Sequence, residues 1–113
     1  MTKHAMDRLQ ARINELQNPS CLGLDPKPEI VPDFLFEEAR ANSDNVADSL
    51  EYALFEFGRR LIDATADLIP AIKPQLAFYE LYGIAGMKAV RRTMLYAREK
   101  GMLVIADAKR GDI

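Results

Sequence analysis

The spacing of apolar residues predicts two long helices in the first two thirds of the chain. Between residues 6 and 16, apolar residues recur every three or four positions with polar or charged residues between them, as on a helix with one buried face. That stripe consists of Met6, Leu9, Ile13 and Leu16. A longer stripe, with Asp44 or Asn45 as its predicted N-cap, consists of Val46, Leu50, Leu54, Phe57, Leu61 and Ala64.

The same spacing predicts a third helix over residues 83–100. Arg98 and Lys100 lie in its last turn, and Gly101 follows at the position where a left-handed residue often ends a helix. Its predicted inner face consists of Ile84, Met87, Val90 and Met94.

Three short apolar runs predict buried strands. They cover residues 20–24, 68–72 and 102–106, and the last is continuous and branched, as in a parallel sheet with both faces covered. Residues 25–44 contain prolines and acidic residues and show little periodicity. We therefore expect a long loop there, with room for one helical turn at residues 34–40.

The predicted elements follow in the order helix, strand, loop, helix, strand, helix, strand. Strands that alternate with amphipathic helices are typical of βαβ units, and right-handed crossovers would place the three strands side by side and parallel. An open doubly wound sheet and a (β/α)8 barrel both complete such a pattern. Periodicity alone does not separate them.

Composition narrows the class of protein and its partners. The 113 residues suffice for one domain, and 49% hydrophobic with 28% charged residues is typical of a globular protein. A formal net charge of -2 argues against a nucleic-acid partner. No apolar run approaches the roughly 18 residues that span a bilayer, and the single cysteine needs no oxidising compartment. We expect a cytoplasmic protein with no membrane partner, with Cys21 in the core and His4 on the surface.

A charged residue follows each predicted strand. Asp25 comes directly after the first run, Lys73 after the second and Asp107 after the third. In parallel α/β folds these positions gather at the carboxyl edge of the sheet, where ligands bind. Pro74 is expected to mark Lys73 as the end of its strand, because proline donates no ladder hydrogen bond. A single charge after a strand is usually a solvated loop residue, so the pattern alone indicates only a ligand site.

Lys109 lies two residues after Asp107, so in an extended backbone the two side chains point the same way. A cluster of Lys73, Asp107 and Lys109 alternates in sign, which lowers the cost of removing these charges from water. An ammonium group in such a cluster can act as a general acid.

Three motifs resemble those of the orotidine 5'-phosphate decarboxylases. Asp107-Ala-Lys-Arg-Gly-Asp112 resembles the Asp-x-Lys-x-x-Asp signature of that family and of related sugar-phosphate decarboxylases and aldolases. Cys21-Leu-Gly-Leu-Asp-Pro26 resembles the first-strand aspartate motif. Ile72-Lys-Pro-Gln-Leu-Ala-Phe-Tyr-Glu80 resembles the second-strand lysine motif, in a form similar to the longer bacterial subgroup.

The resemblance implies an α/β fold, the N-terminal part of a (β/α)8 TIM barrel. Residues 1–113 would be a single incomplete domain with about three of the eight βα units after an opening helix. The implied activity is cofactor-independent, metal-free conversion of orotidine monophosphate to uridine monophosphate and carbon dioxide, in de novo pyrimidine biosynthesis. A magnesium-dependent sugar-phosphate enzyme of the same suprafamily and a catalytically incompetent fragment stay open as alternatives. Because a barrel takes about 250 residues, and the family's phosphate-binding loops follow later strands, we expect residues 1–113 alone to be inactive.

The resemblance also implies roles for single residues. Lys109 corresponds to the general acid that protonates pyrimidine C6, Asp107 to the carboxylate beside the substrate carboxylate, and Lys73 to the second lysine of the charged network. Asp25 and Asp112 correspond to residues that bind ribose hydroxyls. The implied catalytic residues are Lys109, Asp107, Lys73 and Asp112, and the implied substrate-binding residues are Asp25, Lys73, Asp112 and Ile113.

A homodimer with shared active sites is implied as well, because the aspartate matching Asp112 reaches into the neighbouring subunit's site in this family. Ile113 would form part of an apolar wall beside the base. Phe78, Tyr79 and Tyr82 would line the site mouth or a subunit interface, and the sequence does not choose between these positions.

Overall fold

A computed structural model describes residues 3–111, which form a three-stranded parallel sheet with helices packed against it. Within that range the elements are α1 Ala5–Leu16, β1 Cys21–Leu24, α2 Asp33–Ala41, α3 Val46–Thr65, β2 Ala71–Pro74, α4 Leu76–Glu80, α5 Gly83–Glu99 and β3 Leu103–Val104. None of these helices is long and apolar enough to cross a membrane.

The three helices predicted from apolar spacing are confirmed as α1, α3 and α5. Asn45 is the N-cap of α3, where its side-chain oxygen accepts a hydrogen bond from the backbone N–H of Asp48 at 2.8 Å. Gly101 has a φ of 85° just after α5. Glycine adopts this left-handed conformation without a Cβ clash, and it ends the helix where the sequence predicts.

Two short helices differ from the sequence expectation. α2 lies where one helical turn is expected, at residues 34–40, but it is a nine-residue helix. It buries Leu35 and Ala39, which are four residues apart on one face. The surrounding prolines hide this short pattern. α4 has five residues and follows β2 after Gln75 alone, so it is too short to show a helical period.

The second strand lies further along the chain than its apolar run predicts. β2 ends at Pro74, so Lys73 lies inside the strand, and the expectation that Lys73 is its last residue is wrong. Proline lacks an N–H donor, but the carbonyl oxygen of Pro74 accepts a hydrogen bond from the backbone N–H of Asp107 at 3.1 Å. A proline at the end of a strand can therefore still contribute half of its ladder bonds.

The sheet has the predicted parallel arrangement, in the order β1-β2-β3. Gly23 pairs with Lys73 across β1 and β2, and Ile72 pairs with Val104 across β2 and β3. β3 is shorter than the apolar run 102–106, but its ladder resumes beyond it in a bridge between Gln75 and Asp107.

Alternate residues of the strands face opposite sides of the sheet. On one side, the buried residues of the strands and of α3 and α5 form a core made of Leu24, Ile62, Ala66, Ile72, Ala97 and Met102. The register places the other alternate residues on the second side. We call it the open face, and we define it by Cys21, Gly23, Lys73, Ile105 and Asp107. The expectation that Cys21 is buried is wrong, because Cys21 lies on this open face and is exposed.

The helices form a second core of Val31, Leu35, Ala39, Ala53, Leu54, Tyr79, Ala89 and Val90. Ile84 is 77% exposed and Met87 is also exposed, so these two parts of the predicted inner face of α5 are wrong. Small residues take their place because α5 packs closely on α4. A Cβ atom at Gly86 would lie only 1.8 Å from the carbonyl oxygen of Tyr79.

One expectation about the apolar face of α3 is also corrected. Val46 and Ala64, at the ends of the α3 stripe, are exposed because the neighbouring elements do not extend over them. Arg92 is an exposed residue of α5, and it lies 4.0 Å from the centre of the Phe55 ring and 3.3 Å from Glu51. It therefore links α5 to α3 through a cation–π contact and an ion pair.

Candidate active site

The backbone of Asp107 is bonded to the carboxyl end of β2. Its N–H donates to the carbonyl oxygen of Pro74 at 3.1 Å, and its carbonyl oxygen accepts from the N–H of Leu76 at 3.0 Å. The N–H of Gln75, between them, donates to the carbonyl oxygen of Leu24 in β1 at 3.0 Å. These bonds align the ends of all three strands, so side chains from each of them reach the same edge of the sheet.

Lys73 and Asp107 form an ion pair at this edge. Lys73 Nζ lies 3.6 Å from Asp107 Oδ2, with side-chain exposures of 39% and 28%. Gln75 Nε2 donates a hydrogen bond to the same oxygen at 3.0 Å. This separation is longer than that of a charge-assisted N–H···O hydrogen bond, which is typically about 2.7–2.9 Å. Gln75 is thus the closer of the two partners of the carboxylate.

Asp25 lies beside this pair, at the end of β1. Its carboxylate leans back along the strand, because its Oδ2 lies 3.9 Å from where a Cβ atom of Gly23 would be. Gly23 is the register partner of Lys73. The half-buried side chain of Asp25 is therefore on the side of the sheet that carries Lys73.

Lys109 is exposed, on the segment that leaves β3. Among residues 3–111, neither Asp25 nor Lys109 forms an ion pair within 4.0 Å, so the described structure brings together Lys73 and Asp107 of the expected cluster but not Lys109. Arg110 fixes the segment differently, since it donates to the carbonyl oxygen of Lys109 at 2.7 Å and pairs with Glu80 at the end of α4. Asp112 and Ile113, both predicted site residues, lie outside the described residues.

Three aromatic residues surround the loop after Asp25, and the structure gives each a different position. The Tyr82 hydroxyl donates to the carbonyl oxygen of Pro26 at 3.1 Å. Phe78 lies under the ammonium group of Lys27, 5.1 Å from the ring centre. Tyr79 is fully buried among the helices. Tyr79 is therefore not at the mouth of the site.

The Tyr79 phenol is buried next to a negative charge. Burial, and then the charge of Asp25, raise the pKa of this phenol and outweigh the lowering by the nearby Thr93 side chain, so the phenol stays neutral. Its oxygen has no hydrogen-bond partner among the described residues. An unpaired buried hydroxyl costs about 1–3 kcal/mol, while the ring itself fills the helix core.

Replacing Tyr79 by phenylalanine is expected to leave the free energy of unfolding unchanged or to raise it by about 1 kcal/mol, because only the unpaired hydroxyl is lost. Tyr79→Ala should lower it by about 3–5 kcal/mol, because the ring leaves a cavity. Urea denaturation measures both. Tyr82→Phe is the matched control, and it should cost about 1 kcal/mol because it breaks the bond to Pro26. A loss in Tyr79→Phe as large as that in the control would show that the Tyr79 hydroxyl has a partner.

The sequence prediction missed Gln75, Glu80 and Arg110 as parts of this edge. A signal for Gln75 was present, because it lies two residues after Lys73 and so shares a strand face with it. Glu80 and Arg110 carry no such signal, because their pairing depends on the unpredicted helix α4.

A parallel sheet built from βαβ units, with charged residues at the carboxyl edge, defines the class as an α/β protein with a ligand site at that edge, as in (β/α)8 barrels and doubly wound sheets. No family model matches the sequence. Individual relatives do match.

A Clostridium acetobutylicum protein named orotidine 5'-phosphate decarboxylase is 41% identical over 96% of this chain, which corresponds to 35% of that protein. A Rhodopirellula baltica protein of the same name is 39% identical over 94% of the chain and 34% of that protein. Over nearly all of its length, the chain is similar to proteins named orotidine 5'-phosphate decarboxylase. It spans about a third of the length of the curated relatives that it matches.

Solved structures agree with this relationship. A Streptomyces avermitilis protein assigned as an orotidine 5'-phosphate decarboxylase superposes with a TM-score of 0.72 at 32% identity, over 99% of this chain and 35% of that one. A Leishmania donovani UMP synthase superposes with a TM-score of 0.68 at 30% identity, over 99% of this chain and 20% of that one. These names favour the orotidine 5'-phosphate reading over the magnesium-dependent sugar-phosphate alternative.

Proposed function

We propose that the natural polypeptide containing residues 1–113 converts orotidine 5'-phosphate to uridine monophosphate and carbon dioxide. The observation that carries this proposal is the Lys73–Asp107 pair, with a separation of 3.6 Å, at the strand ends of a chain whose relatives bear the decarboxylase name. We assign the reaction to the cytoplasm, because the single thiol of this chain needs no oxidising compartment.

The reaction requires a site that stabilises developing negative charge and supplies a proton. The bond between C6 and the carboxylate breaks, carbon dioxide leaves, and the electron pair stays on C6. Lys109 is assigned to donate a proton from Nζ to C6, and its positive charge stabilises the carbanion as it develops. Asp107 is assigned to lie beside the substrate carboxylate, where repulsion is relieved as carbon dioxide departs. Neither step requires a metal or an organic cofactor.

The remaining residues are assigned to binding. Asp25 and Asp112 accept hydrogen bonds from the ribose hydroxyls, and Ile113 packs against the base. The leaning of Asp25 over Gly23 supports its share of this role, because it brings the carboxylate towards the side of the sheet that carries Lys73. Asp112 is assigned to the site of a second subunit, so the functional unit is a homodimer with shared sites.

The test is the loss of orotidine 5'-phosphate absorbance on adding the natural polypeptide, with uridine monophosphate identified as the product. We expect turnover without added metal, and unchanged turnover in the presence of a chelator. Residues 1–113 alone should show none, because remote phosphate contacts provide much of the binding energy used in catalysis. Magnesium-dependent turnover of a sugar phosphate, with no action on orotidine 5'-phosphate, would refute the proposal.

A further inference from the structure

We propose that Gln75 is a positioning residue for this reaction: it holds the Asp107 carboxylate in the orientation that the chemistry requires. The inference rests on the proposed function, in which Asp107 lies beside the substrate carboxylate. It starts from the hydrogen bond of 3.0 Å between Gln75 Nε2 and Asp107 Oδ2.

The backbone of Gln75 is held on both sides. Its N–H donates to Leu24 in β1 at 3.0 Å, and Gln75 forms a bridge with Asp107 at the end of β3. The Asp107 backbone is itself bonded to Pro74 and Leu76, the two neighbours of Gln75. The amide and the carboxylate therefore face each other from two fixed points, and little conformational entropy is lost in bringing them together.

The chemistry of the two groups decides which atom of Gln75 faces Asp107. A carboxylate only accepts hydrogen bonds, so the NH2 group of the amide must point towards it. Gln75 is also the N-cap residue of α4, yet its side chain makes no capping hydrogen bond. The amide oxygen, which is the atom that could accept a capping bond from the helix N–H groups, is not used in that way, and the NH2 group donates to Asp107.

A neutral amide provides something that Lys73 does not. The Nζ of Lys73 lies 3.6 Å from Asp107 Oδ2, too far for a short charge-assisted hydrogen bond. Gln75 can therefore fix the rotation of the carboxylate without neutralising its negative charge. An ion pair as close as the amide would fix the carboxylate and also reduce the repulsion on which the proposed step depends.

Two substitutions separate this role from a structural one. Gln75→Leu keeps a similar volume and removes the donor, and we expect kcat to fall by about tenfold to a hundredfold with a smaller change in KM, as for a misplaced reacting group. Gln75→Glu restores a donor only when the new carboxyl is protonated. Next to Asp107, with Lys73 as the facing cation and Asp25 at the adjacent strand end, that carboxyl shares a proton with Asp107.

The Gln75→Glu protein should therefore approach wild-type activity at acidic pH and lose it as the pH rises from about 5 to 7, because a like charge raises the apparent pKa of such a pair. The pH profiles of the wild type and of Gln75→Leu should lack this additional loss of activity between about pH 5 and 7. A change that merely loosened the fold would lower activity at every pH. Gln10→Leu and Gln10→Glu, at an exposed glutamine of α1, are the matched controls and should leave the pH profile unchanged.

All variants are made in the whole natural polypeptide, and circular dichroism with thermal unfolding checks their folding. If Gln75→Leu does not fold, the pH profile of Gln75→Glu decides. If the wild type turns over orotidine 5'-phosphate and Gln75→Leu has the same kcat, the inference is overturned and the proposed function is not affected. If the wild type does not turn over orotidine 5'-phosphate, the proposed function fails. A crystal structure of Gln75→Leu then decides the inference: a displaced Asp107 carboxylate supports it, and an unmoved one overturns it.

Discussion

Replacing Lys109 by alanine in the natural polypeptide that contains residues 1–113 is expected to lower kcat for orotidine 5'-phosphate by at least about a thousandfold. General acid catalysis typically contributes about 10²–10⁴-fold, and a positive charge next to a developing carbanion contributes further. The segment that carries Lys109 is held by Arg110 to Glu80 and not by Lys109 itself. The substitution should therefore leave the fold and the substrate KM largely intact. Steady-state kinetics with circular dichroism measure both.

A second variant separates proton donation from charge. Lys109→Arg keeps the positive charge, but a guanidinium does not release its proton at neutral pH, so this variant should recover only a small part of the lost activity. The control is Lys88→Ala, which removes an exposed lysine of α5 and should leave kcat unchanged. A Lys109→Ala enzyme as fast as the control would remove Lys109 from the mechanism.

Mixing two inactive variants is expected to restore activity, if Asp112 completes the site of a second subunit. In a heterodimer of Lys109→Ala and Asp112→Ala subunits, one site carries both changes and the other carries neither. Random pairing makes half of the dimers mixed, and half of their sites intact, so the mixture should reach about a quarter of wild-type activity. Relative to Lys109→Ala alone, which is reduced about a thousandfold, this is a recovery of more than a hundredfold.

The recovery should require subunit exchange. Refolding the two variants together should produce it, whereas refolding them separately before mixing should not until the subunits exchange. Heterodimers can be counted by carrying a different affinity tag on each variant. Heterodimers that form but stay inactive would show that the sites do not cross the interface.

The sequence predicted the parallel sheet and its main helices because their signals are local. Apolar stripes and a glycine after α5 are read directly from neighbouring residues. The helix α4 was missed, and α2 was predicted only as a single turn, because both are stabilised by what they pack against and not by their own periodicity. The inner face of α5 was partly wrong for a related reason, since Gly86 must approach the backbone of Tyr79, and a close approach between helices leaves no trace in hydropathy.

The sequence predicted which edge of the sheet carries the site, but it did not predict the contacts between the side chains there. Asp25, Lys73 and Asp107 do gather at the carboxyl edge of the sheet, although Lys73 lies just inside β2, and Lys73 pairs with Asp107. The sequence could not show that Gln75 lies closer to the carboxylate than Lys73 does, because this depends on the register of β2 against the segment after β3. The roles of these residues, with that of Lys109, stay predictions.

The open face has a consequence for how such a polypeptide can be assembled during synthesis. In residues 3–111, the two cores of buried apolar residues lie between the helices and behind the sheet, while the open face keeps Lys73 and Asp107 in contact with water. A chain emerging from the ribosome could therefore pack its helices onto the first strands while these charges stay hydrated. In a polypeptide that goes on to close a barrel, dehydration of the charges falls at the final closing step. The free-energy cost of removing these charges from water is then offset by the cooperative burial of the last strands. Early folding intermediates keep the charges hydrated and do not include this cost.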